Sequence, residues 1–476
     1  MVELLGKAIG DSEFLVGLLS LIGFLAVITD FDEKRLNKVP YILSLIGTGF
    51  SIFYILFMWT NFQNELLADS YTRVFALIYM VSVFLILISL RRNLIDVPRQ
   101  GILHGLLLFS TTGMIIATAT TNLIMIIVGW ELASITTYAM LALKRDDPYA
   151  LEAATKFFVI GAAGSGIMLF GLSLIFGATG QIDLVAINNV IQSASQNEAL
   201  MRYGIMILIA GAGYKLAIIP FHVWIPDAAD GAPNTLAAFF LGVSKSMAFA
   251  VIIRIFYIGL PSLNDFWMPI FAFLAFITMT FGNLAALVQK KMKRMLAYSS
   301  IAHAGYILMV LAILGPTLAL TGAIFHIFMH SLMKIIAFIT ALVVLEEIGS
   351  DYIDDYAGMV KRSLFITLIL SIDMLALAGV PPLAGFWSKW FLFAGVVEGG
   401  LWWLGLAAAL NSALSLYYYA RVIKVMVLDE PKEDSRIRSN IYYSIPILLA
   451  TILIIVIGIY PTPLEKFLTD AADALI

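Results

Sequence analysis

Apolar runs long enough to cross a bilayer follow one another along this chain almost without pause. They are unbroken rather than alternating, so they predict helices and not the strands of a membrane barrel. The expected spans are 14–28, 41–60, 71–90, 101–119, 122–143, 157–178 and 203–223 in the first half. In the second half they are 236–258, 267–288, 295–314, 318–345, 364–397, 401–428 and 441–460. The pattern predicts an all-α integral membrane protein of about fourteen transmembrane helices. The opening residues lack a basic stretch and a small-residue cleavage site, so the first run reads as a permanent span rather than a signal peptide.

Two spans are interrupted. Span 7 runs into Pro220 and span 12 into Pro381 and Pro382, where the missing backbone donor and the ring clash unwind a helix. Broken spans at corresponding places suggest two inverted five-helix repeats, spans 4–8 and spans 9–13, because an odd helix count per unit reverses its orientation. The expected division is 1–100, then repeats over 101–258 and 259–428, then 429–476 with the last helix. Lys215 and Lys389 are expected at equivalent places in the two repeats.

The loop charges support the span count. Of 29 lysines and arginines, 20 fall on one side, including Lys34, Arg35, Arg99, Lys144, Arg145 and the cluster at 290–294. Only Lys7, Arg73, Arg202, Arg254 and Lys466 fall on the other. The positive-inside rule makes the crowded side cytoplasmic and leaves both termini outside. Subtraction leaves four cations within apolar spans, all lysines: Lys215, Lys245, Lys334 and Lys389.

Composition narrows the chemistry. With 61% hydrophobic and 13% charged residues the chain belongs to the membrane class, and with no cysteine it has no thiolate to hold zinc or an iron–sulfur cluster. Glu131 is a central carboxylate in span 5. An ionised group at mid-bilayer costs about 2.5–3.5 kcal/mol, so Glu131 and four lysines facing lipid would cost about 12–17 kcal/mol. They must face the bundle interior. Structural ion pairing would suit one lysine with Glu131, but three lysines then lack an obvious carboxylate. Burial disfavours a charged amine and a nearby carboxylate favours it, so lysine, unlike arginine, can exchange a proton there. Glu131 with Lys215 is the expected modulator and carrier.

His326, His330 and Lys334 recur every fourth residue and share one face of span 11. No glutamate flanks the first histidine as in a metalloprotease helix, so a hydrated proton path is favoured over a metal site. His222, His303 and Lys156 are further candidates. Asp373 either faces Lys334 or Lys389 near the midplane or caps an irregular turn. The glycine-rich stretches at 161–166 and 211–213 follow no strand, so they predict close helix packing rather than a nucleotide loop.

Specific stretches carry a resemblance. They include Gly129-Trp130-Glu131-Leu132, Lys215 through Pro220 with the following Phe221-His222-Val223-Trp224, residues 293–306, His330 through Lys334, and Gly379 through Lys389. The chain resembles the antiporter-like membrane subunits of respiratory complex I, and the homologous subunits of multi-subunit cation/proton antiporters. Short of a long lateral helix, it looks most like the N-type subunit of a nicotinamide- or reduced-deazaflavin-dependent complex, with the M-type left open. The resemblance implies a proton channel through Glu131, Lys215, Lys245 and Lys389, linked by His326, His330 and Lys334. It implies no cofactor in this chain. Iron–sulfur clusters, flavin and quinone would sit in partner subunits of a peripheral redox arm. Its neighbours would be other antiporter-like and small helical subunits in the bilayer of a prokaryotic plasma membrane. No nucleic acid is expected. Redox-driven proton translocation and sodium/proton exchange both remain as readings.

Overall fold

A computed structural model describes residues 10–29, 38–93, 100–143, 147–193, 197–433 and 435–476. The loop cations Lys7, Lys34, Arg35, Arg99, Lys144 and Arg145 lie outside the described residues. The helices of the first half are α1 Asp11–Ile28, α2 Val39–Phe57, α3 Ser70–Asn93, α4 Gln100–Thr118, α5 Leu123–Leu141 and α6 Pro148–Thr179. The broken α7 has arms α7a Glu198–Leu216 and α7b Trp224–Gly231, and α8 is Lys245–Arg254, entered through a π turn at Phe239–Ser244. There follow α9 Asn264–Leu287, α10 Met292–Leu308 and α11 Thr317–Ile348. A second broken helix has arms α12a Leu364–Ala378 and α12b Ala384–Glu398, before α13 Trp402–Leu428, α14 Ile441–Ile459 and α15 Thr462–Asp473.

Twelve helical segments are individually long and apolar enough to cross a membrane, and the broken α12 and α13 complete the expected fourteen. Span 6 starts earlier than its apolar run. Asp147 caps it, accepting from Tyr149 N and Ala150 N, and Pro148 occupies the first turn, so the polar residues up to Lys156 are helical. The short helix Leu184–Gln192 and α15 were not expected as elements; neither belongs to an apolar run of spanning length.

The two repeats share a register. Helices α6 and α11 each have 32 residues, and each ends on a left-handed glycine, Gly180 at φ 67° and Gly349 at φ 76°. A bridge from just beyond each glycine returns to the start of the preceding helix, pairing Asp183 with Asn122 and Tyr352 with Lys291. All these positions recur at one constant offset. So does one close helix contact: a Cβ on Gly113 would lie 2.6 Å from Ala133 N, and one on Gly282 2.6 Å from Ala302 N. The breaks have the same form, though not that offset: left-handed Ala217 and Gly379 are each followed by a cis proline, Pro220 and Pro382.

Small residues set the spacing, as the sequence led us to expect. A Cβ on Gly161 or Gly164 would strike the ring of Tyr138 or Tyr214, so these glycines make room for two tyrosines whose hydroxyls meet at 2.8 Å. Arg254 is fully buried within the protein, where Asp69, just before α3, receives it at 2.8 Å and 3.0 Å and Thr72 takes a further contact.

Between the repeats, at the loop end of α6 and α11, lies a charged basin of about 580 Å³. Lys156 pairs there with Glu152 and Asp227, while Arg294 pairs with Asp227 and Lys291 with Asp230. Nearby, Asp351 accepts the Lys293 backbone N–H at 3.2 Å, but its other oxygen is buried without a partner. Burial pushes this carboxyl up to about 6, with Asp230 adding to the rise and Lys293 and Lys291 opposing it.

Two predictions follow from this packing. Gly282→Val forces Cβ atoms against the α10 backbone, so the detergent-solubilised protein should lose about 1–3 kcal/mol of stability, read as a lowered unfolding midpoint. An unchanged midpoint would contradict the close α9–α10 contact. For Asp351 the folded value lies above the unfolded one, so the stability from its bound proton is full below about pH 4 and lost as pH rises through about 6. Asp351→Asn should therefore match the parent at low pH and exceed it by up to about 3 kcal/mol above pH 6. Parallel pH profiles would refute this.

Candidate functional site: a buried lysine–histidine path

Lysine side chains enter the bundle from α7a, α8, α11 and α12b, and all four are nearly or fully buried. Among the described residues, none of the four forms an ion pair within 4.0 Å. Each ammonium is met by neutral oxygens instead.

Lys215 occupies the last turn of α7a. Its Nζ donates to Ser134 Oγ on α5 and lies 5.1 Å from the Trp130 ring centroid. Ser134 can accept because its own proton goes to the Trp130 carbonyl at 2.7 Å. Glu131 sits one turn from Ser134 on α5, half-buried, and acts on Lys215 electrostatically. The expected Glu131–Lys215 pair is therefore present as neighbours but not as a contact. Ser134 holds the amine in place of the carboxylate.

Lys245 is placed by the π turn ahead of it, a distortion that re-aims the residue after it. Its Nζ donates to Ser300 O at 3.1 Å and to Ser300 Oγ at 2.7 Å. Ser300 Oγ lies 3.3 Å from His330 Nε2. Lys334 donates to Leu296 O and Ser299 Oγ, both at 2.9 Å. Thus the shared face of α11 predicted for His326, His330 and Lys334 lies over α10, which supplies the acceptors.

His303, also on α10, is the junction. Its Nδ1 shares a hydrogen bond of 2.8 Å with His326 Nε2, and its Nε2 lies 3.3 Å from Tyr419 Oη. Tyr419 reaches Ser299 at 2.6 Å, and so connects to Lys334. His326 Nδ1 continues to Ser388 Oγ at 2.9 Å, beside Lys389 in the chain. The His303 and His330 rings are 5.3 Å apart, centroid to centroid. Both ring nitrogens of His326 are thus engaged in hydrogen bonds.

Lys389 closes the series. Its Nζ donates to Leu377 O, Ala378 O and Ser412 Oγ, each at 2.9 Å. The first two are orphan carbonyls at the end of α12a, which a cation satisfies while opposing the helix dipole. Gly379 is required here, at φ 87° and with its Cβ position 2.9 Å from the Lys389 chain. A cavity of about 310 Å³ opens at this break beside Lys389.

Some expectations need correction. Lys215 lies before its break and Lys389 after its own, so they are not equivalent; when the two breaks are aligned, Lys215 matches Leu377 and Lys389 matches Asp227. His222 sits in the α7 break, edge-on to Phe281, away from the chain of contacts. Lys156 belongs to the charged basin and not to the buried path. Asp373 is buried beside Lys334 with no hydrogen bond, and it caps no turn. Between Lys215 and Lys245 no direct side-chain hydrogen bond runs among the described residues. Sequence reasoning missed Ser134, Ser299, Ser300, Ser388, Ser412 and Tyr419. Hydroxyls in spans usually bond their own helix, and only their closeness to basic residues could have singled them out.

Comparison with known proteins agrees with this architecture. Residues 120–415 match the family described as NADH:quinone oxidoreductase/Mrp antiporter, TM. The chain is 36% identical over 473 residues to F(420)H(2) dehydrogenase subunit N of Methanosarcina mazei, covering 96% of this chain and 93% of that one. It is 34% identical over 475 residues to NADH-quinone oxidoreductase subunit N of Desulforamulus reducens, covering 98% and 96%. Among solved structures, a chain of respiratory complex I from Thermus thermophilus superposes with a TM-score of 0.81 at 28% identity, covering 95% and 98%. This chain belongs to the NADH:quinone oxidoreductase/Mrp antiporter transmembrane family.

Proposed function

We propose that the chain is a proton-translocating membrane-arm subunit of a complex-I-like oxidoreductase, in the plasma membrane of a prokaryote. The observation that carries this reading is the unpaired set of buried lysines, each held by neutral acceptors and three of them near a histidine relay. Protons would pass from Lys215, under the influence of Glu131, to Lys245, then through His330, His303 and His326 to Lys389, with Lys334 joined through Ser299 and Tyr419. His222 and Lys156 have no part in the path itself.

The driving chemistry would lie in partner subunits, which would hold the flavin, iron–sulfur clusters and quinone. Relatives over nearly the whole length are subunits N of quinone or deazaflavin oxidoreductases. Coupling then requires a two-state element whose balance shifts with redox state. Lys215 fits that role, since it can leave Ser134 for Glu131. In this reading the units 101–258 and 259–428 are the repeats flanking the seam, and both termini lie outside.

Sodium/proton exchange is the other reading of the family. A sodium ion is held by several oxygen ligands, as hard cations are. This path is lined by amines and imidazoles, which favours protons.

Lys215→Met in the assembled complex should reduce proton translocation at least about tenfold, a change of about 1.4 kcal/mol in the coupling barrier. It should leave the complex intact on purification. Parent-level translocation in reconstituted vesicles would sink the path.

A further inference from the structure

One acid in the bundle is left without a task by this path. Asp373 is completely buried, and neither carboxyl oxygen accepts a hydrogen bond. It stands within α12a and does no capping. That helix closes instead through Gly379 N, which donates to Leu375 O and Ala376 O at 3.0 Å. Burying a polar group with no hydrogen bond is costly, and an ionised one costs more unless a cation meets it. An apolar residue of similar size would pack there without that cost.

The surroundings of Asp373 identify its partner. Lys334, on α11, is the cation that bears on it, and Tyr419, on α13, is the other titratable group that it affects. Lys334 is not bound to it. Its amine is turned to α10, donating to Leu296 O and Ser299 Oγ, so in the neutral form both N–H groups are satisfied and the lone pair is left to accept a proton. The arrangement repeats what is seen at Lys215, where a hydroxyl holds the amine while a carboxylate waits beside it.

We propose that Asp373 and Lys334 form a second carboxylate–lysine switch, which works as Glu131 and Lys215 do but stands on non-equivalent helices of the second repeat. This rests on the proton-path reading above. In one state Lys334 holds Ser299 and the link through Tyr419 to His303 is closed. In the other it swings to Asp373, and that link opens. Transfer breaks the carboxyl O–H bond and forms an N–H bond on the neutral amine, leaving carboxylate and ammonium to attract one another; the reverse step restores both. No further reactant is needed. Asp373 thereby gates the branch at His303 and limits the path to one direction at a time.

The test uses the whole complex in vesicles, driven by a reduced nicotinamide or deazaflavin donor. Asp373→Asn keeps the volume and removes the exchangeable proton; translocation per electron should fall at least about tenfold. Asp373→Glu should retain it within about threefold, a rescue that a packing role would not produce, since the longer side chain packs worse. Infrared difference spectra of the parent during turnover should contain a carboxylic-acid carbonyl band that shifts in Asp373→Glu and disappears in Lys334→Met. Parent-level coupling in Asp373→Asn, or no band sensitive to Asp373→Glu, overturns the proposal. If the Asn variant does not assemble, the infrared comparison decides alone. Loss of coupling in Lys215→Met with none in Asp373→Asn would reject this switch and leave the path standing. Coupling retained in both would reject the path itself.

Discussion

A lysine ammonium inside a membrane bundle must find oxygen, and in this chain the oxygens are neutral. That constraint accounts for much of the architecture around the site. A salt bridge would satisfy each charge locally and fix it there. Carbonyls and hydroxyls satisfy it more weakly, so the amine can give up or regain its proton without leaving a carboxylate stranded. The four sites differ in degree. Lys389 has an acceptor for each of its three donors, Lys245 and Lys334 have two each, and Lys215 has one hydroxyl and an indole face. The neutral acceptors come from the open end of α12a, from serines on α5 and α13, and from a stretch of α10 rich in serine. The broken helix thus supplies carbonyls to Lys389, while the π turn sets the direction of Lys245.

The repeats keep their skeleton and exchange their chemistry. Glycine caps, bridges and a close helix contact recur at one offset, and each half has a break with a cis proline. The lysines do not. One precedes its break and the other follows it, and the α7b position that matches Lys389 carries Asp227, which faces the charged basin. The three hydrogen-bonded histidines His303, His326 and His330 belong to the second repeat, on α10 and α11. The scaffold thus carries buried lysines in both halves and the hydrogen-bonded histidines in the second, and the halves meet where Lys245 touches Ser300.

How much of this could be read in the sequence depends on scale. Long apolar runs, loop cations and the two proline breaks fixed the helix count and the repeat, since both follow from backbone constraints that leave strong composition signals. The buried lysines were recognisable because charge in an apolar run is costly wherever it points. Partners were not recognisable. Whether Lys215 meets Glu131 or Ser134 depends on side-chain direction within one helical turn, which spacing does not decide. The burial of Arg254 was not recognisable for a related reason: its acid, Asp69, is far off in sequence. The hydroxyls that join the lysines to the histidines gave no signal, since serine in a span is ordinary.

His326 joins His303 to Ser388, so the continuity of the relay depends on one imidazole. Proton translocation per electron in vesicles containing the complex with His326→Leu tests that continuity directly, because leucine fills the space without a transferable proton. The account predicts assembly at parent levels and translocation reduced at least about tenfold. Translocation equal to the parent's would contradict a path through the buried lysines and histidines.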